Sequence, residues 1–154
     1  MRGAVDLAVE ARFFAFVHHP HIIRMRAVAD CSPYEKGFFI VLDRLYSTLA
    51  DRMKLWKKRH QGSLKSLSFG KPKNKVDPVL IEKIIVAYQI GRAMAYFHQM
   101  NIIYRDLKPQ NIGFDVRGDV KIFDLGFAKE VPIDEKLPDG TFKLTGKVGS
   151  LFFQ

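Results

Sequence analysis

A single cysteine, Cys31, among 154 residues excludes an intramolecular disulfide and any thiolate metal cluster. This scarcity fits a reducing compartment, so a cytoplasmic or nuclear protein is expected. Long apolar runs are missing as well. Stretches such as Phe38 to Leu42 fall far short of the ~18–20 residues that cross a bilayer, so no membrane span is expected. Asp6 and Glu10 interrupt any signal-peptide core at the N-terminus. Acidic residues are absent between Arg52 and Lys75, where Arg52, Lys54, Lys57, Lys58, Arg59, Lys65, Lys71, Lys73 and Lys75 concentrate the net charge of +9. The remaining sixteen basic residues balance sixteen acidic ones, so the basicity belongs to one segment and not to the whole surface. With Gly62, Ser63, Ser66, Ser68, Gly70 and Pro72 among these cations, the segment reads as a solvated loop. What remains is ordinary for a folded chain, 47% hydrophobic and 27% charged, enough to bury a core.

The apolar positions place a short series of elements. Leu7, Phe13, Phe14 and Val17 give an amphipathic helix over about residues 4–18, ended by Pro20. Ile22 to Ala29 and Gly37 to Leu42 are β-rich and separated by Asp30-Cys31-Ser32-Pro33, which predicts an antiparallel pair. Leu45, Leu49, Met53 and Trp56 recur at helical spacing and lead into the basic segment. In that register Trp56 reads as core, although a Trp near Lys and Arg also suits stacking on a base. A long helix is expected from Pro78 to about Met100, with Asp77 as N-cap. Short strands and turns follow at Ile102-Ile103, Asn111 to Phe114, Asp115 to Gly118 and Val120 to Phe123. No repeat recurs at a solenoid or propeller period.

Directly after the long helix stands Tyr104-Arg105-Asp106-Leu107-Lys108-Pro109-Gln110-Asn111, and thirteen residues beyond Asn111 stands Asp124-Leu125-Gly126. This pair of motifs resembles the catalytic loop and magnesium-binding motif of the eukaryotic protein kinases, and Lys108 two residues after Asp106 is the serine/threonine version. The resemblance implies ATP and Mg2+ as cofactors and a protein substrate. Asp106 would accept the substrate hydroxyl proton and Lys108 would contact the γ-phosphate. Asn111 and Asp124 would hold magnesium, and Arg105 would pair with a phosphorylated activation segment.

In the same order along the chain, Glu10, ten residues before Pro20, matches the glutamate of the family's αC helix that pairs with an ATP-orienting lysine; a solvent-facing helix carboxylate is the alternative. Leu42 falls at the gatekeeper position, and Asp43 to Leu45 would supply hinge backbone to the adenine. Phe14, Met25, Tyr104 and Leu125 match the stacked apolar positions joining the two lobes. Thr145 and Ser150 resemble the phosphorylated, substrate-facing end of the activation segment, and an ordinary loop threonine is the alternative for Thr145. His18, His19 and His21 surround a proline in a family turn, which favours a structural role over a metal site.

Departures from the family pattern narrow what is expected. Tyr104 stands for the common His, Leu125 for the common Phe, and Gly113 for the larger apolar residue under the adenine. No lysine precedes Lys36, so a glycine-rich phosphate loop and an ATP-orienting lysine have no place before Glu10. Nothing after Ser150 resembles the Ala-Pro-Glu motif or the helices beyond it. The implied fold is therefore an incomplete two-lobed α+β kinase-like fold, from αC through the activation segment. Residues 1–45 would be a remnant N-lobe and 46–154 the upper C-lobe, with a basic insertion at about 57–76. The expected function is a protein serine/threonine kinase in the complete gene product, with this chain inactive alone. A non-catalytic binding module is the alternative, and weak, non-specific polyanion binding through residues 52–75 a third reading. Apolar surface around Tyr88 would call for a protein partner.

Overall fold

The structure is a computed structural model that describes residues 2–65, 77–132, 134, 137–142 and 144, the side chains of 2–4 and 60–65 excepted. The first helix, α1 (Arg2–Phe16), turns Phe13 and Phe14 into the core, and Val17 follows them. β1 (Met25–Val28) then pairs antiparallel with β2 (Ile40–Leu42), in the register Met25 to Leu42 and Val28 to Ile40, with an irregularity between Met25 and Ala27. Both strands match the expected pair, though each is shorter than its apolar run.

A two-residue strand, β3 (Ser47–Thr48), leads into α2 (Leu49–Lys65). Thr48 and Asp51 cap this helix reciprocally: Thr48 Oγ1 accepts from the Asp51 N–H at 3.3 Å, and Asp51 Oδ2 accepts from the Thr48 N–H at 3.2 Å. The helix continues through Lys57, Lys58 and Arg59 to Lys65, where a loop was expected from about residue 57. Its cations explain part of the difference. Arg52 and Arg59 both reach Glu82 on the next helix, at 3.1 and 3.4 Å, so charge that looked like loop solvation ties two helices together. Residues 66–76 of the basic segment lie outside the described residues.

That next helix, α3 (Pro78–Gln99), starts where its sequence signals put it, with Asp77 accepting the Val79 N–H at 2.9 Å and Pro78 in the first turn. It buries Val86, Ala93 and Phe97 and leaves Leu80, Ile81, Ile84, Ile85 and Tyr88 about half exposed, the apolar surface anticipated around Tyr88. Asn101, at φ 55°, turns the chain out of the helix into β4 (Ile102–Ile103). A 3-10 turn at Pro109–Asn111 precedes β5 (Ile112–Phe114), which pairs with β6 (Val120–Ile122) across a turn closed by Gly118 at φ 84°.

β3, β5 and β6 form one antiparallel sheet, while β4 pairs with β7 (Lys129–Glu130). The segment after α1 is fastened to β6 by a parallel bridge between Ile22 and Ile122. Its hydrogen bonds run from Ile23 N to the Ile122 carbonyl and from Ile122 N to the His21 carbonyl, both 2.9 Å. Lys121 Nζ adds a bond to the Pro20 carbonyl at 2.6 Å. Phe14, Ile22, Phe97, Tyr104, Ile122 and Leu125 share one core, with Met25 packed against it, as a plain core reading of these side chains also requires. His19 stacks on Tyr96 at 5.1 Å and accepts the His21 N–H through Nδ1, the structural use expected of the histidines.

Candidate active site

β4 and β5 present the loop between them at the edge of the core. Tyr104 stacks on Phe97 with ring centres 5.7 Å apart and donates its hydroxyl to the Phe123 carbonyl at 2.6 Å. Phe123 N in turn donates to the Asn111 carbonyl at 3.1 Å, so the loop and the segment after β6 are fixed to each other. Arg105 and Asp124 both take φ 64°, a left-handed conformation that non-glycine residues adopt at a cost and that is common where function dictates the backbone.

Asp106 is only 1% exposed. Its Oδ2 accepts from Lys108 Nζ at 2.6 Å and from Asn111 Nδ2 at 2.8 Å, and its carbonyl accepts from Asn111 Nδ2 at 3.2 Å. A buried carboxylate is tolerable only when paired and hydrogen-bonded, and these bonds meet that condition. Three predicted residues, two carrying opposite charges, are thereby brought together in one small cluster.

Glu10 and Asp124 form a second cluster. Glu10 lies near the Asp124 carboxylate and the backbone of Leu125 and Gly126. Burial first, and then the charge of Asp124, push the Glu10 carboxyl up to about 7, so the pair holds a proton through much of the acid range. The Tyr104 hydroxyl lies near both clusters: burial first, and then the charges of Asp124, Asp106 and Glu10, push its pKa up. Among the described residues no three His, Cys, Asp or Glu side chains are set out as a metal site.

In the segment expected to form the hinge, Leu42 pairs with Met25, and Asp43 takes a two-point ion pair from Arg26, whose Nη2 lies 3.1 Å from Oδ2. Leu45 explains Gly113. A Cβ on Gly113 would meet Leu45 Cδ1 at 2.5 Å, so Leu45 occupies the space that a side chain there would take. Arg105 donates Nε to the Phe127 carbonyl at 2.7 Å. Thr145 and Ser150 lie outside the described residues. Two neighbours of these clusters were not anticipated. The first is the Tyr104 hydroxyl, regarded only as an apolar-compatible replacement. The second is Asp6, whose Cβ would lie 3.4 Å from a Cβ on Gly126. Asp6 stands four residues before Glu10, on the same helix face, and that spacing was its available signal.

A buried carboxylate held by a lysine and an asparagine stands in the loop before β5, and a second aspartate follows β6 in a left-handed conformation. The profile of the protein kinase domain matches residues 4–153. The chain belongs to the eukaryotic protein kinase family, of the serine/threonine type. It is 36% identical over 137 residues to "cAMP-dependent protein kinase type 3" of Saccharomyces cerevisiae, covering 89% of this chain and 28% of that protein. To the "Aurora kinase" of Patiria pectinifera it is 29% identical over 129 residues, 82% of this chain and 26% of that one. A shorter match of 59% over 46 residues, 30% of this chain and 9% of the other, is to the "cAMP-dependent protein kinase catalytic subunit" of Arthrobotrys oligospora. The chain thus spans less than a third of the length of these relatives. Its mixed helices and strands are a part of the α+β kinase fold, and no described helix is long and apolar enough to cross a membrane.

Proposed function

We propose that residues 1–154 carry the phosphoryl-transfer centre of a protein serine/threonine kinase, acting on ATP and the hydroxyl of a protein serine or threonine. The observation that carries this reading is the Asp106 cluster. Its carboxylate is positioned by two donors, which suits it to receive the proton of an attacking hydroxyl. Lys108, held beside it, supplies a positive charge where a γ-phosphate would be received.

Asn111 and Asp124 fit a magnesium ion by the chemistry of their donors. Asn111 commits Nδ2 to Asp106, which leaves the hard amide oxygen for a cation, and Asp124 offers a carboxylate. Bound there, magnesium would neutralise phosphate charge. Leu42 and the backbone of Asp43 to Leu45 would bound the adenine, with Leu45 over Gly113 as its floor. Arg105, tied to Phe127, would brace the activation segment, and a phosphate on Thr145 would strengthen that tie.

The test is transfer from labelled ATP to a protein substrate by the complete gene product. Turnover is expected, and Asp106→Asn should lower it by about a thousandfold or more, because it removes a group acting in the transition state. The 154-residue chain by itself, which contains neither a glycine-rich phosphate loop nor an ATP-orienting lysine, should show no transfer above background. Full turnover in Asp106→Asn would overturn the assignment, and a complete product that binds partners without turnover would make the fold a binding module.

A further inference from the structure

Arg24, Arg26, Arg44, Arg117 and Lys121 are scattered through the sequence, yet the fold brings all five to one cleft of about 910 Å3. Its lining comes from the turn after α1, from β1, from the segment between β2 and β3, and from the β5–β6 turn with Lys121 of β6. Val17, Ile22 and Ile23 are its buried apolar part. None of Asp106, Lys108, Asn111 and Asp124 lines it, so it is separate from the centre described above.

Charge decides what such a cleft can hold. Five cations against two carboxylates, Asp43 and Asp115, leave three positive charges in excess around it, histidine not counted, and both carboxylates are already engaged. Asp43 is taken by Arg26, whose Nη2 lies 3.1 Å from Oδ2. Asp115 Oδ1 accepts the N–H groups of Arg117 and Asp119 at 2.9 and 3.0 Å, and its Oδ2 lies 3.6 Å from Lys121 Nζ and 3.8 Å from Arg117 Nη2. Arg24 and Arg44 have no carboxylate partner among the described residues, and the Arg44 guanidinium lies 5.1 Å from the centre of the Tyr46 ring. Lys121 is fixed in place: its side chain is only 13% exposed and donates to the Pro20 carbonyl at 2.6 Å. A concavity lined by one sign of charge focuses its field on an anion inside it. Four of the five cations are arginines, whose planar forks match phosphate oxygens in pairs. An extended acidic chain is better met by cations in a row along one element, and a membrane by cations on a flat face. These come from separate segments and converge on one cavity, within the ~300–1,000 Å3 usual for small-ligand sites.

We propose that this cleft binds a compact, soluble anion carrying several phosphate groups, with Arg24 and Arg44 as its principal contacts and Arg26, Arg117 and Lys121 supplying the field. Calorimetric titration of the 154-residue chain with inositol hexakisphosphate, in about 0.15 M NaCl with EDTA present, should show one saturable site. Arg24→Gln/Arg44→Gln should weaken it about tenfold or more, since two partly solvated charged pairs together contribute about a factor of ten. Both side chains are exposed and without an ion pair, so the variant should fold as the wild type does. Asp115→Asn should tighten binding about threefold, because the amide oxygen still accepts from Arg117 and Asp119 while the negative charge beside Lys121 is gone. Lys57→Gln/Lys58→Gln, on the basic stretch of α2, should leave the affinity within about twofold, and hexaglutamate should bind at least about tenfold more weakly than the phosphate probe. Absence of a saturable site, undiminished binding by the double arginine variant, weaker binding by Asp115→Asn, or an equal loss in the double lysine variant would each overturn the proposal. Hexaglutamate binding as tightly as the phosphate probe would overturn it in favour of an acidic peptide. Neither ATP nor turnover enters these measurements, so their failure leaves the assignment of Asp106 standing, and the reverse holds as well.

Discussion

Glu10→Gln tests the carboxyl pair most directly, because the variant keeps the shape of the side chain and removes only its titration. In the folded chain the Glu10 pKa is raised from its ordinary 4.5 to about 7, by burial and by Asp124. A carboxyl whose pKa is higher in the folded state binds its proton more tightly there. Its contribution to stability is therefore complete below about pH 4.5 and is lost as pH rises through 7. After allowance for the access of water to a half-buried pair, the loss is about 1–2 kcal/mol.

Glutamine stays neutral throughout and keeps the shape and polarity of the protonated carboxyl beside Asp124. Urea unfolding followed by far-UV circular dichroism at pH 5 and pH 8 gives the comparison. The variant should match the wild type at pH 5 and exceed it by about 1–2 kcal/mol at pH 8, or about 3–6 °C in Tm. His19 and His21, whose pKa values burial lowers, act in the opposite sense as pH rises, but they do so in both proteins and cancel in the difference. A gap between variant and wild type that is the same at both pH values would refute the account of Glu10 against Asp124.

Other substitutions probe the remaining contacts. Gly113→Leu drives a side chain into Leu45 and should cost about 1–3 kcal/mol in urea unfolding, relieved when Leu45→Ala is added; a neutral single variant would show that the two do not meet. Tyr104→Phe keeps the stack on Phe97 and loses the hydroxyl bond to Phe123, so a loss of about 1 kcal/mol is expected, and an unchanged melting temperature would argue against that bond. Asp77→Ala should cost about 1 kcal/mol through the Val79 cap, read by thermal unfolding, with no change expected in kinase turnover of the complete product.

Local signals carried the elements that are local. Asp77 and Pro78 mark the start of α3, and the turn after Ala29 separates β1 from β2, because capping and turn chemistry act within a few residues. The spacing of Asp106, Lys108 and Asn111 within one loop was legible, and the structure brings the three side chains into contact. Contacts between distant segments were not legible. Lys129 and Glu130 have no strand character of their own and become β7 only by pairing with Ile103 and Ile102. The composition of residues 57–65 resembles a loop, yet the Arg52 and Arg59 bonds to Glu82, thirty and twenty-three residues away, accompany a helix there. Likewise Gly113 read as a missing floor until Leu45, from a segment far upstream, was seen to occupy the space.

The bridge between Ile22 and Ile122 has a consequence for the order of assembly. Its partners are a hundred residues apart, so the turn after α1 has nothing to dock against until β6 has emerged from the ribosome. At ~5–20 residues per second, Phe13, Phe14 and Val17 wait for several seconds with their apolar faces in water. Contacts of such long range close slowly, which makes the bridge between Ile22 and Ile122 a late step of folding. Nascent chains halted before Val120 should accordingly leave Phe13 and Phe14 open to protease, and those extended past Phe123 should protect them.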